Sequence, residues 1–507
     1  MALFIILLIA QIFQVSTLEK QTSPLLVSAR NPYDLSVSPK TADSGKDLQP
    51  VIRDEKNNDL NDRTRISRSM PMDDLSALHS SFGRFPSCMQ IMPGDNNAPE
   101  KPGAGGNVDE IIRLHQEMGF NADRCNIAWG SVEYPKGKFH WEVIDQRLNK
   151  IFAAGIQPSI IVYGGNNYDG TIYWDRQIPG FDGLRGTREE YKRFVTRVVE
   201  RYDGDGIDDG PINGVIKYWE AWNEPIYFGK ISLEQAVDLY NDYYLAVKSA
   251  DPEAKVISPG FAGGGNEDKG YIYEYFMKHA IDFDMISIHG FYERIGDTNL
   301  DDSYSDKVQR VDRDLKKWGL GDRPWWISEY GVVGTDWYKD PNLYAMRIVR
   351  SYVAFLYQMF HTNLVAASNW YHEGRNIAVI KWDQWTLKPP GRATRIFFSI
   401  FQNADIVEAS QQRDPRNFRV YKFTLADGRN LFAVWALEGI KATVTLPIRS
   451  DKVIQTNFYG DSIQTHDINN GQFSVYVEQE PVYIQEVMES DVLPPAPPQG
   501  LGVREVK

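Results

Sequence analysis

Two glutamates, Glu224 and Glu329, each close an apolar run that reads as a β-strand. The first run is Gly214-Val215-Ile216-Lys217-Tyr218-Trp219-Glu220-Ala221-Trp222-Asn223-Glu224-Pro225, and the second is Arg323-Pro324-Trp325-Trp326-Ile327-Ser328-Glu329-Tyr330-Gly331. Carboxyl groups at two strand ends can share the work of splitting an acetal at neutral pH. One must keep a proton for the departing oxygen, while the other must be ionised and face the electrophilic carbon. Each alone has a plainer use, Glu224 as a helix-start carboxylate beside Pro225 and Glu329 as a surface residue in a turn before Gly331. It is the pair, in this order, that points to chemistry.

The elements that would position the pair alternate regularly. Strands are expected at Ser87–Met92, Ala122–Trp129, Gln157–Tyr163, Val215–Trp222, Lys255–Phe261, Met285–His289, Trp325–Glu329 and Leu364–Trp370. The helices that follow them are expected at Asn107–Met118, Trp141–Ala154, Thr187–Tyr202, Ser232–Ala250, Tyr271–Ile281, Asp306–Trp318, Asn342–Met359 and Arg395–Phe401. Helices are marked by apolar spacing, as in Ile111, Leu114, His115 and Met118, and strands by length and flanking Gly or Pro, as at Gly155-Ile156-Gln157-Pro158. Eight such units predict an α/β fold, a (β/α)8 TIM barrel with its site at the carboxyl ends of the strands. A doubly wound sheet is the alternative and would not account for eight units. After Gln402 the segments are short and alternating; Phe418–Thr424 and Leu431–Trp435 flank Asp427-Gly428 as a hairpin, and Thr443–Leu446, Phe473–Val477 and Val482–Val487 read as further strands of a C-terminal antiparallel β-sandwich.

The chain of 507 residues accommodates one large and one smaller domain. The expected division is a signal peptide over 1–17, a disordered polar leader over 18–80, the catalytic barrel over 81–401, the sandwich over 402–490 and a Pro-rich tail over 491–507. The apolar run Leu3–Val15 is too short for a comfortable membrane span, which favours a signal peptide and a secreted, periplasmic or cell-surface location; its lack of Lys or Arg leaves an uncleaved anchor open. No integral membrane domain is expected. A net charge of −13 argues against nucleic acid or an anionic membrane surface as partner and leaves a neutral glycan compatible. Aromatic content of 13% suits stacking on sugar rings, although core packing claims most such side chains. Cys88 and Cys125, placed on neighbouring strands, are expected as buried thiols rather than a disulfide. Neither cysteines nor histidines form a spaced metal-ligand set, and neither a metal nor an organic cofactor is expected.

From Phe85 to Phe401 the chain resembles clan A glycoside hydrolases, retaining (β/α)8 enzymes with catalytic carboxylates at the ends of strands four and seven. The resemblance makes Glu224 the general acid/base and Glu329 the nucleophile. It likens Arg124 to the arginine beneath the nucleophile, and Asn223 to the residue that hydrogen-bonds the sugar 2-hydroxyl. His289 and Tyr292 fall near the clan's His-x-Tyr, with Tyr292 shifted by one position because Phe291 intervenes. Trp370 and Trp129 end strands eight and two as candidate sugar-binding residues, and Tyr163, Trp337 and Trp382 are further candidates at the rim. The segment Trp129–Trp141 is similar to families 39 and 42 and Tyr218–Pro225 to family 39, whereas Ser328-Glu329-Tyr330-Gly331 is similar to family 5. The activity implied is retaining hydrolysis of a β-linked glycan or oligosaccharide. A transglycosylase using the same carboxylates and a catalytically silent carbohydrate-binding protein are the alternatives; oligomeric state stays open.

Overall fold

The computed structural model describes residues 84–86, 108–166, 168, 186–229, 231–261, 270–294, 300–333, 340–369, 380–381, 385–414 and 417–487. The expected first strand at Ser87–Met92 and both chain ends lie outside these residues, as does Cys88. Seven parallel strands succeed one another: β1 (Ala122–Ala128), β2 (Gln157–Tyr163), β3 (Tyr218–Ala221), β4 (Lys255–Ile257), β5 (Ile286–Arg294), β6 (Trp325–Val333) and β7 (Leu364–Asn369). The first four form one ladder and the last three another, joined by a parallel bridge between Ile257 and Met285. Beyond β7, the Ala367 amide donates to the Arg84 carbonyl at 3.1 Å.

Helices cover one face of these strands. They are α1 (Val108–Met118), the short α2 (Trp129–Val132), α3 (Glu142–Ala153), α4 (Arg188–Tyr202), α5 (Pro225–Gly229), α6 (Leu233–Ala250), α7 (Gly270–His279), α8 (Leu300–Lys317), α9 (Pro341–Met359) and, after the two-residue strands β8 (Ile380–Lys381) and β9 (Thr386–Leu387), α10 (Pro389–Phe401). Their starts follow local chemistry. Thr187 with Glu190 and Ser232 with Gln235 form reciprocal capping boxes, and Asp340 accepts from the Asn342 and Leu343 amides ahead of a helix beginning at Pro341.

On the opposite face Tyr218, Ile257, Met285, Trp326, Val365 and Ala366 meet in one apolar cluster. Residues from β3 to β7 can meet there only if the sheet curls strongly, so this cluster floors a concave surface. One pleat further along the strands, two residues past Tyr218, Met285 and Trp326, stand Glu220, Ser287 and Ser328.

Two expected strands lose about half their length in the structure. Val215–Trp222 contracts to Tyr218–Ala221, because the Ile216 amide is spent on the Tyr202 carbonyl at the end of α4. Lys255–Phe261 contracts to Lys255–Ile257, because Pro259 has no N–H to extend a ladder. β5 and β6 are longer than expected and continue pairing to Arg294 and Val333, and α8 begins six residues before the expected Asp306.

The remaining strands are antiparallel: β10 (Ile406–Asp414), β11 (Phe418–Leu425), β12 (Asn430–Ala436), β13 (Ala442–Pro447), β14 (Lys452–Asn457), β15 (Ile463–Asp467), β16 (Gln472–Val477) and β17 (Val482–Val487). Six form a sheet in the order β10-β11-β12-β17-β14-β15, and β13 pairs with β16. Every residue of β12 is buried because both its faces are covered. Phe432, Val434 and Ala436 join Val444, Leu446 and Val475 between the two sheets, while Leu431, Ala433 and Trp435 join the core that contains α9 and α10. Among the described residues no helix is long and apolar enough to cross a membrane.

Candidate active site

Arg124 on β1 organises the polar layer above the apolar floor. Its Nε and one terminal nitrogen donate to the two oxygens of Glu220 at 2.7 and 2.9 Å, and its other terminal nitrogen donates to Glu329 Oε1 at 2.6 Å. The first edge also reaches Asn223 Oδ1 at 3.1 Å and lies 3.4 Å from His289 Nε2. A guanidinium this deep in the protein, 5% exposed, needs charge on both sides, and the two glutamates supply it. Ser287 adds a third hydrogen bond to Glu220 at 2.8 Å and meets Ser328 at 2.5 Å, immediately before Glu329 in the chain.

Glu224 reaches this layer through a constrained turn. Trp222 and Glu224 both have left-handed backbone angles, φ 54° and 45°. Side chains with a Cβ rarely accept such angles, and each costs on the order of 1–3 kcal/mol. The turn is held by the Glu224 amide, which donates to the Gly260 carbonyl at 2.9 Å, and by the Trp222 ring, which sits edge-on to Tyr191.

His289 connects the two glutamates. Its Nδ1 lies 2.8 Å from Glu224 Oε1 and 3.7 Å from Glu329 Oε2, and the three side chains each offer one atom within 4.8 Å of the others. Arg124 can only donate, so its contact with Nε2 suits an imidazole that carries its proton on Nδ1 and gives it to Glu224 Oε1. That arrangement leaves Nδ1 without a lone pair for a metal, although the three residues are close enough to ligate one. Glu224 Oε2 is buried and has no hydrogen-bond partner among the described residues. Burial pushes the Glu224 carboxyl up, the hydrogen bond and charge of His289 pull it down, the charge on Glu329 pushes it up and Arg124 pulls it down; the net direction is up. For His289 burial pulls downward, but the charge on Glu329 and the hydrogen bond and charge of Glu224 prevail, and the net direction is also up. The resulting pocket holds one carboxyl that resists losing its proton beside another kept ionised by an arginine.

The structure thus gathers Glu224, Glu329, Arg124, Asn223 and His289. It does not place Trp129 with them. Instead of ending a strand toward the pocket, Trp129 begins α2; its ring stacks on Phe194 at 5.6 Å, its Nε1 donates to Glu133 at 2.8 Å, and it is fully buried in the helical layer. Tyr163 is buried at the end of β2 and edge-on to Trp222. Tyr292 lies on β5 opposite Gly331, with its side chain outside the described residues; Trp337, Trp370 and Trp382 are outside them entirely.

Two inward residues were not anticipated. Glu220 could have been found from its own strand: a charge inside the run Tyr218–Trp222, in a strand covered on both faces, requires a buried partner. Asn126 stands one pleat beyond Arg124 on β1, is 7% exposed, and its amide makes no hydrogen bond among the described residues.

No family model and no curated protein matches the chain in sequence. Solved structures do match. A family 39 glycoside hydrolase from Bacteroides cellulosilyticus aligns at TM-score 0.56 and 19% identity, over 74% of this chain and 77% of that one. A monomeric β-xylosidase from Caulobacter crescentus aligns at TM-score 0.52 and 14% identity, over 74% and 92%. A family 51 α-L-arabinofuranosidase from Bifidobacterium longum aligns at TM-score 0.54 and 14% identity, over 80% and 95%. At these identities the likeness is one of fold, and in fold the resemblance to clan A glycoside hydrolases, family 39 among them, is met.

Proposed function

We propose that this protein is a retaining glycoside hydrolase that cleaves O-glycosidic bonds of a β-linked glycan or oligosaccharide by double displacement, with the parallel strands closed into a (β/α)8 barrel. The observation that carries the reading is the placement of Glu224 and Glu329. They are neighbours in a buried pocket, yet one is desolvated and inclined to hold a proton while the other rests on Arg124. One oxygen of each lies within 4.8 Å of the other, which suits direct attack by one carboxylate, since an inverting pair stands about 6.5–9.5 Å apart to admit a water. Closure of the strands is supported by the hydrogen bond from Ala367 on β7 to Arg84, just before the expected first strand.

In the first step Glu329 attacks the anomeric carbon while Glu224 gives its proton to the departing oxygen. The proton belongs on Oε2, because Oε1 accepts from His289 and Oε2 has no other partner. Esterification removes the negative charge of Glu329, so one of the two causes that raise the proton affinity of Glu224 disappears, and burial alone is left to oppose His289 and Arg124. Glu224 then takes a proton from water, and the hydroxide equivalent attacks the glycosyl ester from the opposite face; Glu329 leaves as a carboxylate and both groups return to their starting states. The β-xylosidase and family 39 neighbours support a β-linked substrate, and the arabinofuranosidase neighbour makes the α-L-arabinofuranoside the necessary comparison.

Aryl β-xyloside, β-glucoside and α-L-arabinofuranoside would be assayed together, with the first-formed anomer followed by NMR and a 2-deoxy-2-fluoro glycoside used to trap the ester. Turnover of a β-glycoside with retention, and label on Glu329, is expected. An inverted first product sinks double displacement, label on another carboxylate overturns the roles, and turnover of the arabinofuranoside alone moves the substrate class.

A further inference from the structure

Two separate arms hold Glu224 in place, and both lead to one hydroxyl. The first arm is the constrained turn, in which the Glu224 amide donates to the Gly260 carbonyl at 2.9 Å. The second is His289, whose Nδ1 lies 2.8 Å from Glu224 Oε1. Phe261, the residue after Gly260, donates its amide to the Tyr273 hydroxyl at 2.9 Å, and that hydroxyl donates back to the Phe261 carbonyl at 3.3 Å. The His289 amide donates to the same oxygen at 3.4 Å. A phenol has one proton to give and two lone pairs to receive with, so these three contacts use its whole capacity. The ring that carries it comes from α7, is buried, and stands edge-on to Phe261 at 5.2 Å.

The backbone at these two places needs such a tie. β4 ends at Ile257, three residues short of Gly260, and the pairing of β5 with β6 shifts register on both sides of His289. Irregular pairing of that kind re-aims side chains but leaves them less firmly set than a regular ladder does. Glu224 itself, at φ 45°, keeps its backbone angle only where its surroundings over-determine it. We propose that Tyr273 is a positioning residue for Glu224: its hydroxyl clamps the backbone after β4 to that of β5, fixing the Gly260 carbonyl and the His289 ring relative to each other and so setting the carboxyl held between them. The inference rests on the reading of Glu224 as the acid/base. Burial, the largest cause, raises the Tyr273 phenol against the pull of the two amides, so the proton that bonds the Phe261 carbonyl stays in place.

Tyr273→Phe deletes the hydroxyl and keeps the ring. General-acid assistance is worth roughly a hundred- to ten-thousandfold, and it matters most when the leaving group is poor. A displaced carboxyl should forfeit about ten- to a hundredfold of it. The measure is kcat/KM, which reports the first step, for phenyl and dinitrophenyl β-xylosides. It should fall by that factor for the phenyl glycoside and by much less for the dinitrophenyl glycoside, whose leaving group departs unaided. A role in packing alone would lower both alike, and equal losses overturn the proposal.

Residue-resolved hydrogen exchange reads the clamp without substrate, which separates this inference from the proposed activity. The Glu224 amide is bonded to Gly260 rather than to the hydroxyl, yet in Tyr273→Phe it should lose about tenfold of its protection together with Phe261 and His289. The amides of β2 and α9 should exchange as in wild type. Unchanged protection at Glu224 overturns the proposal whether or not any glycoside is turned over. Should the variant not fold, the wild-type protein decides: the Glu224, Phe261 and His289 amides should open with one free energy, and distinct opening free energies at Glu224 and Phe261 overturn it equally.

Discussion

Glu224 is placed where its own ionisation is costly. Burial raises its proton affinity above that of a solvated carboxyl, while His289 works in the other direction and Glu329 restores part of the rise. Because the folded pKa lies above the unfolded one, the associated stability is complete below the unfolded pKa and is lost as pH rises through the folded one. Glu224→Gln, which never ionises, should therefore show a higher thermal midpoint than wild type above about pH 5 and little difference below pH 4, where a free Glu is protonated. A midpoint difference independent of pH would mean that ionisation of Glu224 has no part in it. Truncation tests the catalytic role. With Glu224→Ala, a dinitrophenyl glycoside should still form the ester, since its leaving group departs unaided, and the ester should accumulate for want of a base. Azide needs no deprotonation and should restore turnover as the β-glycosyl azide. Equal losses on natural and activated substrates, without azide rescue, would assign Glu224 to structure. Glu224 and Glu329 were legible in the sequence because each closes an apolar strand in a distinctive local context. Trp129 misled because position at a strand end does not say which way the next residue turns, and here the onset of α2 sends the ring into the helical layer.

At the scale of elements, the boundaries that local chemistry sets were the legible ones. Thr187 and Ser232 cap α4 and α6 where the sequence placed the helix starts, and β2 has its expected bounds. Strand ends elsewhere depend on neighbours: β5 and β6 extend each other, and β3 is cut short by a hydrogen bond to α4. The same dependence fixes the site. Gly260, following β4, bridges Asn223, accepts from the Glu224 amide and lies so close to His289 that an added Cβ would fall 2.1 Å from Nε2. The imidazole cannot retreat easily, being fully buried. Gly260→Ala should displace the ring, loosen its hold on Glu224 Oε1 and reduce kcat/KM by about a hundredfold, while circular dichroism shows the fold retained. Wild-type activity in a folded Gly260→Ala protein would show that the position of His289 is unimportant. Ser232→Ala serves as the contrasting change: loss of the capping box should cost about 1 kcal/mol of stability, seen as a lower thermal midpoint with kcat unaltered.

At the scale of the whole molecule, the hairpin signal at Asp427-Gly428 announced the antiparallel sheets, but their attachment to the helices was not readable, because it depends on which face of each strand is turned to which neighbour. The structure answers with alternation. On β11 and β12, Tyr421, Phe423 and Trp435 face α9 and α10, while Val420, Phe432 and Val434 face the second sheet. Tyr357 lies edge-on to Tyr421 at 5.6 Å, Phe401 edge-on to Phe423 at 5.4 Å, and Arg350 sits over the Trp435 ring at 5.3 Å while donating to the Ala436 and Gln479 carbonyls. Because α9 directly follows β6 and α10 leads into the sandwich, loosening this contact should be felt in the pocket that β6 helps to build. Trp435→Ala removes a large ring from a fully covered position and should cost about 3–5 kcal/mol. If the sandwich and the parallel-sheet body are one cooperative unit, the variant should still melt in a single, lower transition by calorimetry, with activity lost over the same temperatures. Two resolved transitions, with activity following only the later one, would instead show that the sandwich is an independently folding appendage and that the pocket does not depend on it.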